Sequence, residues 1–269
     1  MMTEHNIAAL WEPFEIAEDT LVVKKIGDLN LWCRLFENQI LIAYSHQPAD
    51  VGIDCLADIP PETAWSRWAM PIESAVLQLV PMFPDRPIVV KPEESFRLIQ
   101  QIHTRINARV PIWIGIDLVQ GDKISRLTDL PTVVLSKTWF GNFTDGEGCY
   151  WITSGLRAKI DPDPQRYYQA ICPIEVVNNS KEELLIDKIC LRVANLTLFF
   201  DGKQLWSDET NIVFEGKDEV SQVTTTGAPP PEALDTVRIS EPRTPMKKGF
   251  TAQTFDTLKD LPWLGTAFR

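Results

Sequence analysis

No uncharged apolar run in the chain approaches the roughly 18 residues that a membrane-spanning helix needs. The first residues, MMTEHNIAALWEPFE, hold no basic segment ahead of an apolar one, so they do not read as a secretory signal. Basic residues are the minority, 26 Lys+Arg against 37 Asp+Glu. They form no stripe, which argues against nucleic acid or an anionic membrane as a partner. Histidine is scarce: His5, His46 and His103 lie far apart, with no second ligand at metal spacing. The five cysteines (Cys33, Cys55, Cys149, Cys172, Cys190) are odd in number and contain no C-x-x-C pair, against both a zinc site and a disulfide framework. G-x-S-x-G, H-E-x-x-H and Walker patterns are missing too. These gaps lead us to expect no metal, no cofactor and a cytoplasmic protein with reduced thiols. The sequons at Asn142, Asn178 and Asn195 are then chance matches.

What is present is β-forming pattern. Twenty prolines favour short strands and rigid turns over long helices. The clearest signals lie between Cys172 and Asp208. A β-branched run, Pro173 to Val177, closes on Asn178-Asn179-Ser180. Ile189, Leu191 and Val193 then alternate with Cys190, Arg192 and Ala194, the period of a half-buried strand. Leu196, Leu198 and Phe200 continue it, and Asp201-Gly202 predicts a type I′ hairpin returning through Gln204-Leu205-Trp206. On this reading the charged face with Lys188 and Arg192 is solvated.

The same logic extends along the chain. Leu29 to Phe36 and Ile40 to Tyr44 form a ribbon about Glu37-Asn38-Gln39, and its text NLWCRLFENQIL resembles NLTLFFDGKQLW at 195–206, a trace of duplication or of shared turn rules. Glu62 to Ala69 reads as a helical turn with Trp65 and Trp68 on one face. Pro92 could open a helix, but period two prevails from Ile102 to Ile116, with Pro111 implying an edge or bulge. Thr251 to Leu261 suggests a terminal helix. Together these predict an all-β, antiparallel β-sandwich architecture. We expect two packed sandwich domains, 1–125 and 126–250, divided near the polar interval Gly121 to Pro131, and a tail, 251–269. Net charge is −11, concentrated N-terminally: residues 1–60 hold 10 acids and 3 bases.

One segment looks like a site. The glycine-rich loop near 139–151 sets Asn142, Asp145 and Glu147 among Trp139, Phe140, Tyr150 and Trp151. Carboxylates beside aromatic rings would suit a carbohydrate or another polar small molecule, making Trp139, Asn142, Asp145, Glu147 and Tyr150 the candidate binding residues. A plain hairpin with core aromatics explains the same residues. Arg105, Arg109 and Arg157 could hold an anion, but solvated strand-face charges account for them.

The segments FPDRPIVVKPEESF (83–96), VPIWIGI (110–116), LSKTWFGNFTDGEGCYW (135–151) and CPIEVVNNSKEELLIDKICLRVANLTLFFDGKQLWSDE (172–209) resemble the DUF432 proteins of archaea and bacteria. That resemblance implies a domain without assigned activity and transfers no catalytic residue. The sequence therefore favours a binding or assembly module that meets a protein partner, or another copy of itself, along sheet edges. The alternative is an enzyme or binding protein using the loop at 139–151.

Overall fold

A computed structural model describes residues 7–18, 20–46, 63–70, 74–142, 144, 146–153, 156–159, 163–217, 219–247 and 249–255. The strands run, in chain order, as β1 (Phe14–Ala17), β2 (Leu21–Ile26), β3 (Leu29–Phe36), β4 (Gln39–His46), β5 (Ser66–Ala69), β6 (Ser74–Met82), β7 (Ile88–Val90) and β8 (Phe96–Leu98). They continue as β9 (His103–Pro111), β10 (Trp113–Gln120), β11 (Lys123–Pro131), β12 (Ser136–Phe140), β13 (Glu147–Ile152), β14 (Gln169–Asn178) and β15 (Leu184–Ile186). The remainder are β16 (Ile189–Leu191), β17 (Leu198–Phe200), β18 (Leu205–Ser207), β19 (Thr210–Phe214), β20 (Ser221–Thr225), β21 (Val237–Ser240) and β22 (Thr251–Ala252). Among the described residues, helix is confined to Ile7 and Ala8 and to two short 3₁₀ turns, Pro164–Arg166 and Val193–Asn195. The chain is all-β, and none of its described helices is long and apolar enough to cross a membrane.

Four larger sheets and one strand pair result: β1-β6-β10-β11, β2-β3-β4-β5, β12-β13-β7-β16, β21-β17-β18-β14-β19-β20-β22 with β9 also on β14, and β15-β8. Most pairings are antiparallel, but β14 runs parallel to β18 and β19, and β13 runs parallel to β7. These parallel pairs join distant segments, which local turn signals cannot foresee. Strands from either side of residue 125 share sheets, and Gly121 to Pro131 is itself the β10–β11 hairpin, with Gly121 at φ 58 in its turn. Alternating side chains bury one continuous core from Ile7 to Phe255. A small separate cluster joins Val89, Phe140, Cys149 and Cys190.

Several local expectations change under tertiary pairing. Ser66–Ala69 is a strand, held by antiparallel pairing with Gln39 to Ile42, rather than a helical turn. Trp68 packs on the core while Trp65 lies over the Arg34 guanidinium, 4.7 Å away. The predicted strand 102–116 breaks at Ile112, whose N–H donates to the Tyr168 carbonyl and whose carbonyl accepts from Thr132. Pro111 ends β9, an edge strand, where its missing donor is tolerated. Phe96–Leu98 pairs with β15, so no helix opens at Pro92. Thr251–Ala252 pairs with β20 instead of starting a helix, and 256–261 lie outside the described residues.

The two look-alike hairpins differ at their turns. Glu37 and Asn38 have φ of 48° and 58°, the two-residue geometry predicted for Asp201-Gly202. Asp201 instead accepts the N–H groups of Lys203 and Gln204 at 2.8 and 2.7 Å and the Trp206 indole at 2.8 Å. A carboxylate able to take three donors stabilises a wider loop, and Phe200 pairs with Leu205. The arginines are not simply solvated. Arg105 pairs with Glu209 and Glu232, and Arg109 is buried with Nη1 3.4 Å from Gln204.

Candidate functional site

Because β12 and β13 pair antiparallel, opposed residues share a face: Trp139 opposes Gly148, Lys137 opposes Tyr150, Thr138 opposes Cys149, and Phe140 opposes Glu147. One face therefore carries Trp139, Lys137 and Tyr150; the other carries Glu147, Cys149, Trp151 and Phe140. Of the nominated residues, Trp139 meets Asn142, while Tyr150 and Glu147 lie on opposite faces of β13. Tyr150 joins the main core, tilts against Trp113 and donates its hydroxyl to Asp85 at 2.9 Å. Its phenol is raised, first by burial and then by the Asp85 carboxylate. Trp139 is half exposed and folds back, its indole N–H donating to the Asn142 carbonyl at 3.0 Å. Asp145 lies outside the described residues.

Glu147 leads to residues that sequence reasoning placed elsewhere. Arg192, expected on a solvated face, is nearly buried, with its side chain 10% exposed. Its guanidinium pairs with Glu147 and donates to the Gln253 carbonyl at 3.1 Å and to the Cys190 carbonyl at 3.3 Å. It also lies 3.2 Å from the Cys190 Sγ. Segment 253–255 covers this flank: Cys190 N–H donates to the Thr254 carbonyl, and Ile189 bridges to Phe255. Beyond it, Cys149 and Cys190 bring their sulfurs to 3.8 Å. At that distance either thiol can donate to the other. Cys190 is lowered, first by its hydrogen bond with Cys149 and further by Arg192, against the cost of burial. Cys149 is raised by that same hydrogen bond and then by burial. Cys33 and Cys172, buried and alone, are both pushed up to about 12, chiefly by burial.

The loop is held by close approach at Gly146. A Cβ there would lie 2.3 Å from Trp139 Nε1 and 2.5 Å from the Asn142 carbonyl, the group that also accepts the Gly146 N–H. At Gly148 a Cβ would meet only Arg86, at an ordinary 3.6 Å. We expect Gly146→Ala to cost about 2 kcal/mol by overpacking, with Gly148→Ala close to neutral in the same urea titration. Equal midpoints for the two variants would refute this reading of the loop.

At the other end of β12 lies a cavity of about 280 Å³ lined by Pro111, Val134, Leu135, Ser136, Trp151, Ile152 and Thr153. β12 has β13 as its one strand neighbour among the described residues. Ser136, Lys137 and Trp139 on it are exposed, as is Val134 just before it. Among the described residues, no three His, Cys, Asp or Glu side chains gather as metal ligands.

An all-β chain whose glycine loop, thiol pair and open strand edge are built on one four-stranded sheet is thus the class to be placed. It belongs to the DUF432 family, described as proteins of unknown function, which matches residues 10–259. No curated protein and no solved structure matches the chain.

Proposed function

We propose that the chain is a binding module that takes an extended peptide segment of a partner protein as an added strand on β12. The observation that carries this is the combination of an exposed edge with a cavity of mixed polar and apolar lining at its start. An edge strand offers a row of backbone donors and acceptors to a new strand, and a neighbouring pocket selects its side chains. Val134, 65% exposed, stands at the cavity mouth, and Trp139, 54% exposed, stands along the strand. Val134, Leu135, Trp151 and Ile152 offer the cavity an apolar wall for one side chain of the added strand, and Ser136 and Thr153 offer it hydroxyls. The carbohydrate reading has less support: Glu147 is engaged by Arg192 on the face opposite Trp139 and Tyr150. The four described cysteines are unbridged, which supports a reducing, cytoplasmic setting.

Panning a library of unstructured peptides against the whole chain tests the proposal. Enriched peptides should carry an apolar anchor and bind Val134→Asp at least tenfold more weakly than wild type. Val237→Asp, at an exposed position on the edge strand β21, should bind them normally. Failure to enrich any peptide, or equal binding by Val134→Asp, would sink the proposal.

A further inference from the structure

The Cys149–Cys190 pair supports a second inference, independent of the strand edge. β7 separates the strands that carry the two cysteines, in the order β13-β7-β16. Two strand spacings put their backbones about 9–10 Å apart, beyond the roughly 7 Å that a disulfide tolerates. The sulfurs nonetheless meet at 3.8 Å, because both side chains reach across β7 on the face they share with Val89 and Phe140. A disulfide would have to close that gap to about 2.05 Å against the intervening strand.

A bridging metal ion asks much less. With metal–thiolate bonds of about 2.3 Å, a linear sulfur–metal–sulfur unit spans about 4.6 Å, so small side-chain rotations outward admit the ion and the strands keep their places. We propose that Cys149 and Cys190 form a two-thiolate site for a soft monovalent cation, Cu(I). Thiolate ligands suit Cu(I), zinc and iron–sulfur clusters, and an iron–sulfur cluster needs about four cysteines. A zinc ion needs about four ligands, and no third His, Cys, Asp or Glu ligand stands with this pair among the described residues. Two thiolates with Cu(I) carry one net negative charge, and the Arg192 guanidinium, 3.2 Å from the Cys190 Sγ, opposes it in a setting largely shut off from water. The Arg192–Glu147 pair, whose carboxylate side is 41% exposed, is the route from solvent. On binding, each thiol gives up its proton to water as two Cu–S bonds form, so two thiols release two protons per copper. Copper remains Cu(I), and no electron is transferred.

The test is an anaerobic titration of the full chain with Cu(I) supplied as its bicinchoninate complex, followed by the chelator absorbance and by native mass spectrometry. Wild type should take one Cu(I) per chain from the chelator. Cys149→Ser and Cys190→Ser should each lose that ion, with affinity reduced at least a hundredfold. Cys33→Ser, Cys55→Ser and Cys172→Ser should keep it. Circular dichroism and urea midpoints establish that each variant is folded, and Cys190→Ala provides a second truncation if one serine variant is not. Three results would each overturn the site: no copper retained by wild type, copper retained equally by the folded Cys149 and Cys190 variants, or ready formation of a Cys149–Cys190 disulfide, read as the loss of two hydrogens, in the folded chain under mild oxidant.

Discussion

Asn178→Ala should lower the stability of the folded chain by about 3–4 kcal/mol, a large share of the roughly 5–15 kcal/mol that holds a typical domain folded. Asn178 ends β14 and is fully buried. Its amide donates to the Leu98 carbonyl at 2.9 Å and to the Glu182 carbonyl at 2.7 Å, while its Oδ1 accepts the Ser180 N–H and hydroxyl. Truncation would take a side-chain partner from the buried Leu98 carbonyl and from the Ser180 N–H, while Ser180 and Glu182 keep their mutual bonds, and unmade buried bonds cost more than made ones contribute. Asn178→Asp should be worse still, since it aims a carboxylate at two carbonyl oxygens. Asn179→Ala, one residue on at an exposed position, should change stability by less than about 1 kcal/mol. Urea titrations of the three variants decide the matter; similar midpoints for the Asn178 and Asn179 variants would refute it. The same burial explains why the sequon at Asn178 is a chance match, because its amide nitrogen is already committed.

Asn178 also marks how far the sequence could be read. Local pattern placed β3, β4 and β14 correctly: alternation marks β3, where burial of one face is written at every second position, and apolar or β-branched runs mark β4 and β14. The Asn-Asn-Ser turn was legible for the same reason: side chains that bond their own backbone act within a few residues. Which strands become neighbours is decided by segments far apart, and no local pattern records it. β7, from Ile88 to Val90, inserts between β13 and β16 and so brings Cys149 to Cys190. The sequence separated those thiols widely, and the default of lone buried cysteines followed.

Two features of the candidate site were within reach. A strand from Glu147 to Ile152 puts Glu147 and Tyr150, three apart, on opposite faces. The parity of Arg192 was likewise correct, since it follows Cys190 by two. Reading that face as solvated failed because the glycine loop and segment 253–255 fold over it, and those contacts are not local. A run such as Cys149-Tyr150-Trp151-Ile152, apolar at successive positions, is the one signal that both faces of this sheet are covered.

Arg126→Ala should cost about 3 kcal/mol near neutral pH, and the loss should shrink in acid. Arg126 crosses from β11 to β10, lies over Gly115 where a Cβ would come within 2.3 Å of its guanidinium carbon, and pairs with Asp117. It also reaches Asp129 at 3.0 Å, whose other oxygen takes Arg243 at 2.6 Å. Asp117 is the vulnerable member: its side chain is 9% exposed, so losing its partner leaves a buried charge uncompensated. Arg126 itself is 35% exposed, and access of water there keeps the expected loss toward the lower end. For Asp129, burial pushes the carboxyl up, but hydrogen bonds from Arg243 and Arg126 outweigh it and hold the group below its ordinary value of 3.8. A depressed carboxyl contributes stability that is complete above its unfolded pKa and disappears as pH falls through the lower folded one. Asp208 has the opposite sign. Burial raises it despite N–H groups from Thr197 and Gly227, so its contribution improves as pH falls. Urea midpoints measured from about pH 7 down to about pH 3 should therefore show wild type and Arg126→Ala converging, with Asp129→Asn flattening the acid limb. A gap that stays constant across that range would mean that Arg126 acts by packing over Gly115 and Met82 rather than by charge.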